Sequence, residues 1–166
     1  ILKLKEKKLQ LLEVYLLEEM RRLLHKENLI TKVTINKISF EITLYDKDEN
    51  AIPKDLLSKG EQQMFATGVL LALARTSGKP LPFMIDTPLA RLDVSHRDNM
   101  IEKFFPYASH QVVIFSTDSE ISEDYYRQLL PYLSRSYAME YMPGKGKTKQ
   151  HLGYFWNDKG ERIVAV

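Results

Sequence analysis

The sequence predicts an α/β protein: a partly parallel sheet with covering helices, preceded by a coiled-coil-like helix and followed by antiparallel strands. Three observations carry this. Residues 1–30 contain neither Gly nor Pro, and Leu2, Leu9, Leu16, Leu23 and Ile30 recur every seven residues. Between Leu81 and Leu133 short apolar runs alternate with helix-like segments, the order of a parallel sheet with helical crossovers. After Ser136, strand-like runs at Tyr137–Met142, Leu152–Trp156 and Arg162–Val166 are separated by polar connections.

Composition bounds the function classes. With 166 residues, 44% hydrophobic and 28% charged, the chain is one globular, soluble domain's worth. No run of eighteen apolar residues and no signal-peptide pattern is present, so a membrane partner is not expected. The absence of cysteine removes disulfides and thiolate metal sites and is compatible with a reducing cytoplasm. A net charge of +2 does not advertise nucleic-acid binding, so any DNA contact has to come from local patches.

In the first helix the partner positions Lys5, Leu12, Glu19 and Lys26 hold only one apolar residue, which makes the heptad partial. The helix is either an amphipathic one packed on the domain or the last turns of a coiled-coil arm. From Thr31 to Asp46 the period changes to two. Val33 and Ile35, then Ile38, Phe40, Ile42 and Leu44, alternate with polar residues, predicting two strands or one bulged strand. Asp46 to Asn50 is a polar turn, and Ile52-Pro53 leads towards Leu57.

The chemistry concentrates between Leu57 and Asp93. Ser58 followed by Glu61 has capping-box spacing and starts a helix whose continuation, MFATGVLLALA, is apolar nearly all round and therefore reads as buried. Its start stays polar through Lys59, Gly60, Glu61, Gln62 and Gln63. An ordinary capped core helix accounts for the cap. Gly60 is harder to account for, because glycine in a first turn costs roughly 1 kcal/mol relative to alanine. A phosphate approaching the exposed N–H groups and the positive end of the helix dipole explains it. Thr76-Ser77-Gly78-Lys79-Pro80 ends the helix, and Leu81 to Ile85 reads as a buried, parallel strand. Asp86 stands at its carboxyl end, where ligands of open α/β sheets bind, and a carboxylate there either holds Mg²⁺ or simply caps a turn before Pro88. Ser95 caps a helix to about Phe105, and Gln111 to Phe115 forms the next buried strand.

Taken together, LSKGEQQ resembles the signature motif of ABC-type ATPases, FMIDTP their Walker B strand, and ARLD the D-loop that follows it. The order and spacing are similar to the carboxyl-terminal half of an ABC/SMC-type ATPase head, of the structural-maintenance-of-chromosomes kind. The wording from Gly78 to Ile121 is similar, more narrowly, to the ATPases of bacterial DNA phosphorothioation (DNA sulfur-modification) systems. This resemblance implies that residues 1–30 end a coiled-coil arm, with further sequence upstream of Ile1. Residues 31–166 are then the carboxyl-terminal lobe of a head, with its signature at 57–62, Walker B at 82–87 and D-loop at 90–93.

It implies ATP and Mg²⁺ as cofactors. Ser58, Lys59, Gly60 and Glu61 would face the nucleotide of an opposite subunit, Asp86 would serve the Mg²⁺ of its own head, and Asp93 would pack across the dimer seam. Partners would be the chain's own amino-terminal Walker A half, a second head, other DNA sulfur-modification proteins and DNA, in a bacterial cytoplasm. The expected role is ATP-dependent DNA nicking or strand manipulation. The alternatives are an SMC-like DNA repair or restriction ATPase and a nonhydrolysing, ATP-dependent dimerisation module.

Two departures bear on mechanism. Thr87 stands where the resembled family usually has a glutamate that polarises water, and Thr117 where it usually has a histidine that reaches the γ-phosphate. Neither hydroxyl is a general base near pH 7, and losing such a base removes on the order of 10²–10⁴ in rate. Slow turnover is expected, unless Asp118 or Glu120 fills the role. No G-x-x-x-x-G-K-[ST] occurs; in front of Gly146-Lys147-Thr148 the required glycine falls on Tyr141. The chain is therefore expected to hydrolyse ATP only when completed by a Walker A half and a second head. The loop from Pro143 to Gln150 reads either as a solvated hairpin loop or as a basic finger on DNA phosphate, through Lys145, Lys147, Lys149 and partly His151.

Overall fold

The computed structural model describes residues 2–24 and 30–155. It divides between Phe115 and Ser116 into two compact units.

The first unit opens with helix α1 (Leu2–Leu23), and buries Leu9, Leu16, Met20 and Leu23 along one face. The predicted helix extends to Ile30, but residues 25–29 lie outside the described ones. A three-stranded antiparallel sheet follows, β1 (Lys32–Ile35), β2 (Ile42–Tyr45) and β3 (Ala51–Ile52), in the order β1-β2-β3. Ile38 and Phe40, expected in a strand, lie in the turn between β1 and β2. The Asn36 side chain accepts from the N–H groups of Ile38 and Ser39 at 2.8 and 3.0 Å, an alternative to ladder pairing that leaves Ile38 90% exposed. The polar turn at Asp46 forms as expected, with its carboxylate accepting from the N–H groups of Asp48 and Asn50. Those backbone donors, Asn50 first, hold the Asp46 carboxyl below its usual range. The short strand at Ala51 has no sequence signal of its own and arises from that turn.

Helix α2 (Lys59–Ser77) lies against α1, and Gly78 in left-handed conformation (φ 71°) ends it. The two helices approach closely because α2 presents Gly68. A Cβ built there would lie 2.3 Å from the Met20 Cε and 3.6 Å from Glu19 and Leu16. Glu19, the polar break in the heptad, is 3% exposed. Its carboxylate accepts from Arg22 and, at 2.8 Å, from Arg75 of α2, which also bonds Glu18 at 2.8 Å and sits 4.1 Å from the Tyr15 ring centroid. Burial opposes the charge on Arg75, yet these two carboxylates outweigh it and raise its pKa.

The expectation that α2 is buried all round is corrected. Met64, Thr67, Gly68, Leu71 and Ala72 face the core, while Leu70 and Leu73 are 57% and 47% exposed. One covering helix shields only one side of an all-apolar helix.

Strands β4 (Phe83–Asp86) and β5 (Val112–Phe115) pair in parallel, with Phe83 opposite Val112 and Asp86 opposite Phe115. They are less buried than the sequence predicts, Met84 being 66% exposed. Between them runs α3 (Val94–Asn99), which continues as a π-helical turn over Met100–Phe104. The cap of α3 is Asp93, not Ser95: its carboxylate accepts from the His96 N–H at 2.9 Å and contacts the His96 ring at 2.8 Å. The π turn puts Met100, Ile101 and Phe104 into the core, with Phe104 edge-on to Phe83 at 5.7 Å. Asn99, also buried, donates to the Leu23 carbonyl at 3.2 Å and so satisfies one unpaired carbonyl at the end of α1.

In the second unit, α4 (Glu123–Leu129), capped by Ser122, precedes the antiparallel hairpin β6 (Tyr137–Met142) and β7 (Lys147–Leu152), with Tyr137 opposite Leu152. The predicted strand over 152–156 is thus corrected: it occupies 147–152, and the polar loop shrinks to a turn at Pro143–Lys145 closed by Gly146 in left-handed conformation (φ 57°). Cross-strand pairing recruits Lys147 to Gln150, whose polar composition had concealed a strand. Trp156 and Arg162–Val166 lie outside the described residues.

The close approach at Gly68 gives the first expected outcome. Gly68→Leu overpacks the α1–α2 contact and should cost about 1–3 kcal/mol. Urea denaturation followed by far-UV circular dichroism would read this as a lowered midpoint.

Candidate functional site

In the first unit, the start of α2 and the end of β4 come together. Ser58 forms both halves of the capping box. Its hydroxyl accepts from the Glu61 N–H at 3.2 Å, and the Glu61 carboxylate accepts from the Ser58 N–H at 2.8 Å. The Glu61 carboxylate is therefore engaged in holding the helix start. Gln62 donates to the Leu57 carbonyl at 2.9 Å, and Gln63 reaches across to the Pro88 carbonyl at 2.6 Å, tying the helix to the turn after β4.

Between these elements lies a cleft of about 420 Å³ lined by Lys59, Gln62, Gln63, Asp86, Thr87, Ala90 and Arg91. Asp86 is exposed at the carboxyl end of β4, the edge at which open α/β sheets bind ligands. Thr87 follows in left-handed conformation (φ 46°), its N–H donating to the Phe115 carbonyl at 2.9 Å. A β-branched residue in that region stores on the order of 1–3 kcal/mol of strain. The strain turns the chain sharply out of the sheet, so that Pro88 and Leu89 are buried beneath the turn and Ala90 and Arg91 return to the surface.

Gly60 faces the segment at Arg91 and Leu92. A Cβ there would meet the Arg91 carbonyl and Leu92 at 3.6 Å, ordinary van der Waals contact, and its φ does not lie in the left-handed region. Among the described residues, no packing contact or backbone conformation demands glycine at this position.

The fold thus brings Lys59, Asp86 and Thr87 to one cleft, with Ser58, Gly60 and Glu61 forming the helix start beside it. Asp93 lies past the turn and is engaged as the α3 cap. Thr117 belongs to the second unit, where its hydroxyl is 3.1 Å from the Ser119 hydroxyl. Of the two alternative carboxylates there, Glu120 is buried and Asp118 half-buried. Sequence reasoning missed Gln63 and Arg91 as lining residues. Both stand inside the stretches whose wording carries the resemblance, but only the turn after β4 brings them to the same space. Among the described residues no group of three or more His, Cys, Asp or Glu side chains converges. A Mg²⁺ ion that keeps most of its waters and takes ligands from phosphate needs only one or two carboxylates, so Asp86 with the Thr87 hydroxyl fits it.

No protein-family profile matches the sequence, and no curated protein does. Solved structures do. A chain described in work on ATP-driven dimerisation and DNA-stimulated activation of SMC ATPases superposes with a TM-score of 0.62 at 12% identity, over 88% of this chain and 85% of that one. The SMC head domain of Thermotoga maritima matches with a TM-score of 0.56 at 14% identity, over 87% of this chain and 48% of that one. The Smc head of Pyrococcus furiosus, with an extended coiled coil and bound to the C-terminal domain of ScpA, matches with 0.57 at 15% identity, over 86% and 35%. The chain has the fold of part of an SMC ATPase head. It spans about half or less of the last two structures. Among the described residues, no helix is long and apolar enough to cross a membrane.

The capping box gives a second expected outcome. Ser58→Ala should lower stability by about 1 kcal/mol, and Ser58→Asp, which retains a cap acceptor, should restore most of it, both read by urea denaturation.

Proposed function

We propose that this chain is the carboxyl-terminal lobe of an SMC-like, ABC-type ATPase head that binds MgATP together with an amino-terminal Walker A half and a second head. The observation that carries this reading is the cleft that joins a capped helix start, with a glycine its own packing does not require, to a strand-end aspartate. Asp86 would hold Mg²⁺, which supplies charge neutralisation of the phosphates. The Ser58 hydroxyl, the Gly60 N–H and the other first N–H groups of α2 would donate to phosphate oxygens of the nucleotide on the opposite head, favoured by the helix dipole. Lys59 adds positive charge at that helix start. Glu61 keeps the helix start rigid, and Asp93 does the same for α3 at the dimer seam.

The exposed apolar residues Leu70, Leu73 and Met84 support a further packing layer, which we assign to the Walker A half. Thr87 and Thr117 would orient water and phosphate by hydrogen bonding, without abstracting a proton. Slow hydrolysis follows, with ATP acting as much to hold heads together as to be consumed. The same two threonines favour, as a second reading, a head that dimerises on ATP without hydrolysing it.

Within this class we assign the chain to DndD, the ATPase of DNA phosphorothioate modification, on the wording from Gly78 to Ile121. ATP-dependent nicking or strand manipulation would accompany sulfur incorporation, with other DNA sulfur-modification proteins as partners. DNA would be met in part by Lys145, Lys147 and Lys149, which are exposed at the hairpin turn and on β7.

ATP hydrolysis by the chain combined with its Walker A half, with and without DNA, tests the ATPase. Asp86→Ala should lower turnover on the order of 100-fold. Gly60→Ala should keep the fold while weakening ATP-dependent dimerisation, read by light scattering. Dimerisation without phosphate release would establish the second reading, and neither would sink both. Phosphorothioate content of DNA from cells carrying Asp86→Ala tests the DndD assignment: undiminished sulfur would overturn it.

A further inference from the structure

We propose that the Tyr154 hydroxyl is the positioning group for the turn at Ser116-Thr117, the turn that carries the residue assigned above to the nucleotide. It donates to the Thr117 carbonyl at 2.9 Å and lies 2.9 Å from the Ser116 hydroxyl. A phenol has one proton, and a carbonyl can only accept, so the Ser116 hydroxyl donates to Tyr154. The result is a directional chain, Ser116 to Tyr154 to the Thr117 carbonyl, that pins two consecutive residues beyond the end of β5. The same carbonyl accepts from the N–H groups of Glu120 and Ile121, both at 3.2 Å, which makes it the hub of the turn.

Several features place Tyr154 for this. Its ring stacks on Tyr126 with centroids 4.9 Å apart and planes 15° from parallel, and the Tyr126 hydroxyl is 2.9 Å from that of Ser136. Gly153, in left-handed conformation (φ 102°), donates to the Ser136 carbonyl at 2.9 Å and turns the chain out of β7 towards the ring site. Tyr154 is 8% exposed. Burial, offset by the Ser116 hydrogen bond and reinforced by Glu120 and Asp118, pushes its pKa up to about 12, so the phenol remains a donor at neutral pH. A phenylalanine would fill the ring site equally well. The hydroxyl adds its bonds to residues 116 and 117, and burying it without them would be unfavourable. The root of the hairpin is thereby fastened to the strand-end turn.

The function of the turn rests on the nucleotide reading, so the test has two independent readouts in the complete protein. The first is amide hydrogen exchange in wild type and Tyr154→Phe. Tyr154→Phe removes both hydrogen bonds of the hydroxyl, and at about 1 kcal/mol each their loss should raise exchange at residues 118–121 at least fivefold, with α2 unchanged. Unchanged exchange overturns the positioning role whether or not the protein hydrolyses ATP. The second is steady-state ATP turnover, in which Tyr154→Phe should lower kcat about tenfold and leave KM within about twofold. The effect should vanish in a Thr117→Ala background. Faster exchange with unchanged kcat overturns the functional part and leaves a purely structural tyrosine. Absence of wild-type turnover refutes the ATPase reading alone. Ser116→Ala, which keeps the aromatic stack, is the companion variant if Tyr154→Phe does not fold, and should raise exchange at the same residues.

Discussion

The seam between α1 and α2 is the contact on which the first unit depends. Gly68 lets the helices approach until Met20 occupies the space of a side chain, and at such a distance a buried carboxylate has to be paired. Glu19 is paired twice, to Arg22 within its own helix and to Arg75 across the seam. An ion pair of this kind contributes little net stability but strongly penalises any register that separates its partners. Together with the close approach at Gly68 it favours the register in which α2 lies along α1.

The turn after β4 is the second organising feature. A threonine held at φ 46° directly after the strand-end aspartate is locally unfavourable. It persists because the Thr87 N–H continues the β5 pairing, Pro88 and Leu89 are buried, and Gln63 holds the Pro88 carbonyl. The strain and its restraints keep Asp86, Thr87 and Arg91 around one cleft, whereas a relaxed extended residue would carry the chain onwards past the sheet edge. Lys59, Arg91 and Asp86 put opposite charges into one open cleft, which the MgATP proposed above would match.

The two threonines also bear on how such a head would behave. On the proposed reading, a nucleotide site without a general base would hold its ligand longer than it converts it. Conformation then has more weight than chemistry in setting its output, and groups that fix the turn around Thr117 matter more than they would beside a strong base. Tyr154 is such a group, and it joins the basic hairpin to that turn in one hydrogen-bonded unit.

Sequence by itself determined the features governed by short-range chemistry. The capping box at Ser58 and Glu61, the stop at Gly78, the turn at Asp46, the strands ending at Asp86 and Phe115 and their alternation with helices all follow from local spacing and propensity. The place of Asp86 at a strand end was legible because an apolar run closed by a polar residue is itself a sequence pattern. Tertiary structure decided what depends on residues distant in sequence. Ile38 and Phe40 left their strand for a turn closed by Asn36, Asp93 took the cap expected of Ser95, and Lys147 to Gln150 became a strand because β6 offered them partners. The exposed side of α2 was undecidable from its composition, since an apolar helix carries no mark of which face is covered. Gln63, Arg91 and Tyr154 joined their sites only through the fold, because a side chain's target is set by the elements packed around it and not by its neighbours in the chain.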